Sequence, residues 1–490
     1  MYATPTNQPT SDELTRRVFA CTLLATLASK GFALFPALTP DDYLLTYDEA
    51  GEAMYLSQGR YTEALLQRLT HLMGLHWSDI YFPNTALLLL AYAILASLAA
   101  ISLCPNPRSP AIPCLGGALI ACHPFFAALL AFREAALNTL CCVLLLIGFL
   151  GGWLRLLEDQ RQWRTHLLSA LALIGALGCY QPAISIALCI TLPILVQRAF
   201  IETNRPLQEI LRRWPLVLPL LFALLGYALL NAVLVPAGSD AGDPRAQIMP
   251  WSGLFTRTEQ GFALLRKLLF DGTAIESGLL VKAQSALLVI GGLCVGRRRP
   301  VFALTLLAVY LLLQLLSILP LALTKVWWPV LRAASAAGFA VGLLAMLTLL
   351  NCGRAMRPLM VGWLFVCWGL AQHSAILLGD QWRLNRWDFG QALLITQAIH
   401  EQFPSIATPR VSLVAEGWRY PATLTSNMPD HGTSAFTVPW AIQGLLREAS
   451  GQDMPFVYPS EADVARCAHS PHWPAPGSLS REDDVIHVCL

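Results

Sequence analysis

Charge is what this 490-residue chain has little of. Only 13% of its residues are Asp, Glu, Lys or Arg, where a soluble globular protein carries roughly 25%. With 55% hydrophobic residues and a mean hydropathy of +0.53, that scarcity excludes an ordinary soluble domain. The basic residues fall in short clusters beside apolar runs and never on one face, so no nucleic-acid partner is expected. The net charge of +2 adds nothing about partners. Walker loops, dinucleotide fingerprints and nucleophile elbows are missing from any fitting context, which argues against an ATP-driven pump and against the familiar soluble hydrolases. Tandem repeats are also missing. His469-Ser-Pro-His472 has loosely metal-like spacing but no acid or cysteine framework. It reads as a surface loop, and neither a metal nor a cofactor is expected.

Long apolar runs are abundant. Stretches of about 18 or more such residues, each enough to span a bilayer, recur from Val18 to Leu378. They make this an all-α polytopic membrane protein with about eleven transmembrane helices, oriented by the positive-inside rule. About 17 polar residues precede the first run and no cleavage site follows it, so no signal peptide is expected. Residues 1–17 form a cytoplasmic N-terminus anchored by Arg16-Arg17, and 18–378 the membrane domain with an outer loop at 39–80. The stretch Leu167 to Gln197 reads as a tight helical hairpin turning outside at Tyr180-Gln181, because Pro182 interrupts the helix. Gly296-Arg-Arg-Arg299 is the clearest cytoplasmic marker, and the loop from Pro236 to about Ser277 is external. After Gly379 apolar runs stop. The remaining 379–490 are expected to form a small periplasmic α/β domain, with a helix at Ala392 to Phe403 and a strand at Val411 to Ala415. Most of the 13 cysteines lie in apolar runs, and Cys467 and Cys489 do not. Those two can pair if their region faces an oxidising compartment, which spacing alone leaves open.

Acids at a membrane surface are costly enough to suggest a functional site. Asp41 and Asp42 stand just beyond the first helix. Either can serve as a general base for a hydroxyl nucleophile, and equally either can cap a helix or sit in a solvated turn after Pro40. Gly59-Arg60 and an amphipathic segment, Tyr61 to His71, follow. Arg60, Arg133, Lys325 and Arg332 lie near outer helix ends, where the positive-inside rule expects few cations. Their alternatives are phosphate recognition and snorkelling, and for Lys325 and Arg332 an interfacial belt with Trp327-Trp328. Glu134 beside Arg133 is either a local ion pair or a substrate contact. Tyr180-Gln181 either binds a sugar or satisfies backbone groups freed by Pro182.

The set Asp41-Asp42-Tyr43, Gly59-Arg60, Tyr180-Gln181 and, more loosely, Gly432-Thr-Ser-Ala-Phe436 resembles the Gtr-type bacterial glucosyltransferases that modify O-antigen. The resemblance covers most of the chain. It implies a GT-C-like architecture in a bacterial inner membrane, N-terminus cytoplasmic and C-terminus periplasmic. The implied reaction moves a hexose, glucose above all, from a polyprenyl-phosphate-linked donor to a surface polysaccharide or lipid-linked acceptor on the periplasmic face. Nucleotide-sugar sites and essential metals are usually absent from such enzymes. By the resemblance, Asp41 or Asp42 is the base or acceptor-positioning acid and Arg60 meets the donor phosphate. The roles of Arg133, Lys325 and Arg332 come from topology instead. A transporter or flippase for a lipid-linked sugar is the alternative, although charges clustered at helix ends suit it less well. A purely structural membrane protein is the third.

Overall fold

The computed structural model describes residues 11–47, 51–105, 109–202, 206–234, 247–406, 408–421, 424 and 432–490. The first ten residues, the middle of the turn from Cys104 to Pro110, the tip of the loop from Arg198 to Trp214 and the start of the loop after Pro236 lie outside them.

Each of the eleven apolar segments is helical. In order they are Ser11–Lys30, Trp77–Leu103, a pair formed by Ala111–Cys122 and Pro124–Leu130, Ala136–Glu158, Trp163–Cys179, Ala183–Glu202, Leu218–Leu234, Gly278–Gly296, Pro300–Leu323, Ala336–Asn351 and Met356–Gln402. Nine are long and apolar enough to cross a membrane among the described residues, and the pair, bent by 45°, makes ten as one span. Trp163–Cys179 is apolar but shorter. The helix that follows Arg332 is almost wholly buried at the centre of the bundle. Leucines and phenylalanines such as Leu144, Leu225 and Phe365 point outward all round it. An outward apolar surface over a packed interior is what a lipid solvent selects.

The bend in the third segment has a local cause. Pro124 has no N–H to give to the carbonyl four residues back, so the helix breaks at His123. The carbonyls left over are taken up by side chains of three other helices. Tyr92 donates to Ile120 O at 3.0 Å, the Lys30 ammonium donates to Ala121 O, and Ser374 donates to Cys122 O at 2.7 Å. Lys30, Tyr92 and Ser374 are all buried. Non-helical backbone inside a membrane bundle survives only when satisfied in this way. Ser374→Ala should therefore cost about 1 kcal/mol. Thermal unfolding in detergent reads this as a lower midpoint, and an unchanged midpoint would show the break does not need this donor.

The last apolar segment does not stop where the composition changes. Its helix runs unbroken past Gly379 to Gln402 and enters a second hydrophobic core through Ala392, Ile395 and Ile399. That core is covered by a four-stranded mixed sheet of order β2-β1-β4-β3, where β1 is Arg410–Val414, β2 Phe456–Val457, β3 Leu479–Glu482 and β4 Val485–Cys489. β1 runs parallel to both β2 and β4, while β3 and β4 form an antiparallel hairpin. Cys467 and Cys489 are joined as a disulfide, their Cα atoms 5.2 Å apart. Tyr43, from the loop after the first helix, belongs to the same core. Its hydroxyl accepts from Asn385 at 2.7 Å. Gly444, on the helix Pro439–Ser450, lies so close that a Cβ there would stand 2.6 Å from Tyr43 O. The C-terminal unit is thus packed directly onto the segment that carries the two aspartates.

Candidate functional site

Thr39 caps the helix Pro40–Tyr47, with Pro40 in the first helical position where its fixed φ costs nothing. Asp42 closes the cap. Its Oδ2 accepts from Thr39 N at 2.6 Å and Thr39 Oγ1 at 2.8 Å, while its own N–H donates to Thr39 Oγ1 at 3.3 Å. This is the reciprocal bonding of a capping box. Its Oδ1 accepts from Arg133 N at 2.8 Å and Glu134 N at 3.0 Å. With 1% exposure and four donors, Asp42 ties the segment after the first helix to the turn at 131–135. Burial pushes its carboxyl up to about 7, while the Thr39 bonds and the Arg133 guanidinium pull it back.

Asp41 points the other way, into a cavity of about 510 Å³. Its Oδ1 lies 3.4 Å from the indole Nε1 of Trp440, which donates to it. Arg60, Glu63, Glu134, Tyr180 and Arg332 line the same cavity. They come from connections that follow the first, third, fifth and ninth apolar segments. These residues meet at one end of the bundle because both the bent pair and the short helix Trp163–Cys179 run from end to end.

Gly59 makes the placement of Arg60 possible. It takes a left-handed φ of +74°, and a Cβ there would stand 2.8 Å from Tyr227 Oη. The turn brings Arg60 to the N-cap of the helix Tyr61–Leu72. Its guanidinium pairs with Glu63 at 3.3 Å and lies 5.8 Å above the Tyr180 ring. The helix is inverted in polarity. Glu63, Gln67 and Thr70, at i, i+4 and i+7, face inward, while Leu65, Leu69 and Leu72 face out. Burial pushes Glu63 up to about 7, with Arg60 opposing. Burial likewise raises the Tyr180 phenol to about 12, opposed by Arg332 and Arg60.

Arg332 stacks its guanidinium 4.4 Å from the Phe132 ring centroid. Two indoles complete the rim: Trp328, beside the helix that carries Arg332, and Trp440, from the C-terminal unit. Besides Asp42, three expected site residues stand off the wall. Arg133 is 2% exposed, gives one guanidinium nitrogen to Leu130 O, and reaches Asp42 through its backbone N–H. Burial draws its pKa down to about 10, with Asp42 opposing. Lys325 is exposed and bonds Gln247 Oε1 at 2.9 Å. Gln181 braces the cavity from behind, donating to Gln58 O at 2.7 Å. Near the Gly432–Phe436 stretch, Ser434 Oγ and Ala435 N both donate to Asp388, at 2.6 and 2.7 Å. That stretch holds the C-terminal unit to the long helix and lines no part of the larger cavity. No cluster of three metal-ligating side chains occurs among the described residues.

Glu63, Asn138, Trp328 and Trp440 were not expected at the site. For Glu63 the available signal was the polar i, i+4, i+7 stripe. For Trp440 there was none, since its contact with Asp41 joins residues about four hundred apart. A protein-family model described as glucosyl transferase GtrII matches residues 33–349, well over half of the chain. Comparison with curated proteins and with solved structures returned no match.

Proposed function

The chain belongs to the glucosyl transferase GtrII family, and from that premise we propose that it takes glucose from a polyprenyl-phosphate-linked donor. The acceptor in this reading is a surface polysaccharide of the O-antigen kind, and transfer occurs on the periplasmic face of a bacterial inner membrane. Family membership implies glucosyl transfer and so favours this over the flippase alternative. The observation that carries the reading is the meeting of Asp41 with Arg60 and Arg332 in one cavity at the end of a membrane bundle. A lipid-linked donor keeps its tail among the helices and presents phosphate and sugar at that end.

In the reaction the bond from the sugar C1 to the phosphate oxygen breaks and a bond from C1 to the acceptor oxygen forms. The acceptor proton passes to the Asp41 carboxylate, which acts as general base. Negative charge grows on the departing phosphate, and Arg60 and Arg332 stabilise it with preorganised positive charge. Asp42 is a positioning residue that holds the Glu134 turn against the helix bearing Asp41.

Arg297–Arg299 and Arg354 lie at the opposite end from the cavity, which by the positive-inside rule supports a periplasmic site. The Cys467–Cys489 disulfide supports the same side, since such bonds persist in oxidising compartments. The test is mass analysis of surface polysaccharide from cells co-expressing a polyprenyl-phosphate glucose synthase. One added hexose per repeat is expected, and it should disappear without the synthase. Cysteines at Arg297 and Ala475, both exposed, should be labelled from the cytoplasm and the periplasm respectively. Labelling of both from one side would overturn the orientation.

A further inference from the structure

One wall of the cavity carries three polar oxygens with nothing to bond. Glu134, Asn138 and Tyr180 are 7%, 3% and 8% exposed. Among the described residues, Glu134 Oε2, Asn138 Oδ1 and Tyr180 Oη have no hydrogen-bond partner. A buried polar atom left unmade costs about 1–3 kcal/mol. Three on one cavity wall make a site prepared for a ligand.

Their chemistry narrows the ligand. The Asn138 amide is held in one orientation, because its Nδ2 donates to Cys179 O at 3.1 Å and only the nitrogen can do so. Its oxygen therefore faces the cavity as an acceptor. A carboxylate oxygen beside it is also an acceptor, and the phenol can accept or donate. A phosphate offers acceptors alone and would be repelled by this wall. Hydroxyl groups donate, and several together on a rigid ring match it. Guanidinium groups, Arg60 and Arg332, line the same cavity and suit the phosphate, Arg60 lying 5.8 Å above the Tyr180 ring. Acceptors for a sugar and cations for its phosphate thus adjoin in one cavity, with Tyr180 where the two sets meet.

We propose that Glu134, Asn138 and Tyr180 form the pyranose subsite for the donor sugar, with Asn138 and Tyr180 as specificity-determining residues that read its hydroxyls. The proposal rests on the lipid-phosphate donor reading given above. A site built to bond a hydroxyl rejects the analogue lacking it far more strongly than an apolar pocket rejects a missing methylene, because its own buried atoms are then left unpaired.

The experiment is calorimetric titration of the detergent-solubilised full chain with a short-chain prenyl phosphoglucose, its four mono-deoxy analogues and the sugarless prenyl phosphate. Wild type should lose at least tenfold in affinity on removal of one hydroxyl. In Tyr180→Phe or Asn138→Ala that same removal should cost less than twofold. Tyr180→Phe is the safer variant, since it deletes an oxygen bonded to nothing in the protein. Binding of neither prenyl phosphate overturns the donor reading and this inference with it. Equal binding of the sugared and sugarless probes, or deoxy penalties unchanged in both variants, overturns the subsite alone.

Discussion

Asp41→Asn is expected to lower glucosyl transfer about a thousandfold while leaving the fold intact, in line with the range for loss of a general base. The side chain lines the cavity, and an asparagine oxygen can still accept from the Trp440 indole. Shape is kept and basicity is lost. Asp42→Asn should behave differently. Each oxygen of Asp42 accepts two N–H or O–H donors, so an amide nitrogen on either side confronts two donors and loses two bonds. Bonds to a charged acceptor are worth about 1.5–3 kcal/mol each, and the loss falls on stability. Transfer from radiolabelled donor in membranes, beside thermal unfolding in detergent, separates the two. An Asp42→Asn protein with wild-type unfolding and no transfer would reverse the assignment.

Arg60→Met should have the second large effect, and it divides into two parts. The Glu63 side chain is 3% exposed and its guanidinium partner is 3.3 Å away. Removing that partner leaves a buried carboxyl uncompensated, at a cost of about 3 kcal/mol. It also removes positive charge from the phosphate end, which should slow transfer at least about a hundredfold. Arg60→Met with Glu63→Gln should recover most of the stability and none of the rate, and recovery of both would take Arg60 out of the chemistry. The pH dependence gives an independent reading. The folded-state value of about 7 for Glu63 lies above its unfolded value of about 4.3. As pH rises the unfolded chain therefore gives up its proton first, and stability falls between about 4.3 and about 7, then levels off. Glu63→Gln should flatten that slope.

The helical segments were legible because lipid demands long apolar runs, and a run is a local property of sequence. Even the hairpin at Tyr180 was marked by proline, whereas the break at His123 falls in a run read as one continuous helix. The cavity-lining residues at helix ends, Asp41, Arg60, Glu134, Tyr180 and Arg332, stood out as charge or polarity where little is found. What did not show was which of two adjacent acids faces the cavity. The spacing Thr39-x-x-Asp42 is a capping signal that separates them, since a capping acid spends its oxygens on backbone. Arg133 and Lys325 were placed near the phosphate by topology alone, and neither lines the cavity. Asn138 was hidden inside an apolar run, where a single amide has no periodicity to betray its facing. The role of the C-terminal unit depends on Tyr43, Gly444 and Trp440 meeting across the length of the chain, and no window of sequence contains both sides.

The helix Met356–Gln402 has 47 residues, so at 1.5 Å per residue it is about 70 Å long. A hydrocarbon core is about 30 Å thick. Standing in a bilayer, it is a mast with more than half its length outside the hydrocarbon, and the C-terminal unit is fastened to the upper part. With Tyr43 and Asp388 lashing that unit down from two directions, Trp440 is held at a fixed level along that helix, against Asp41. In the transferase reading proposed above, an acceptor is then measured as well as recognised. Its target sugar has to arrive at that elevation, whatever else the chain it belongs to contains.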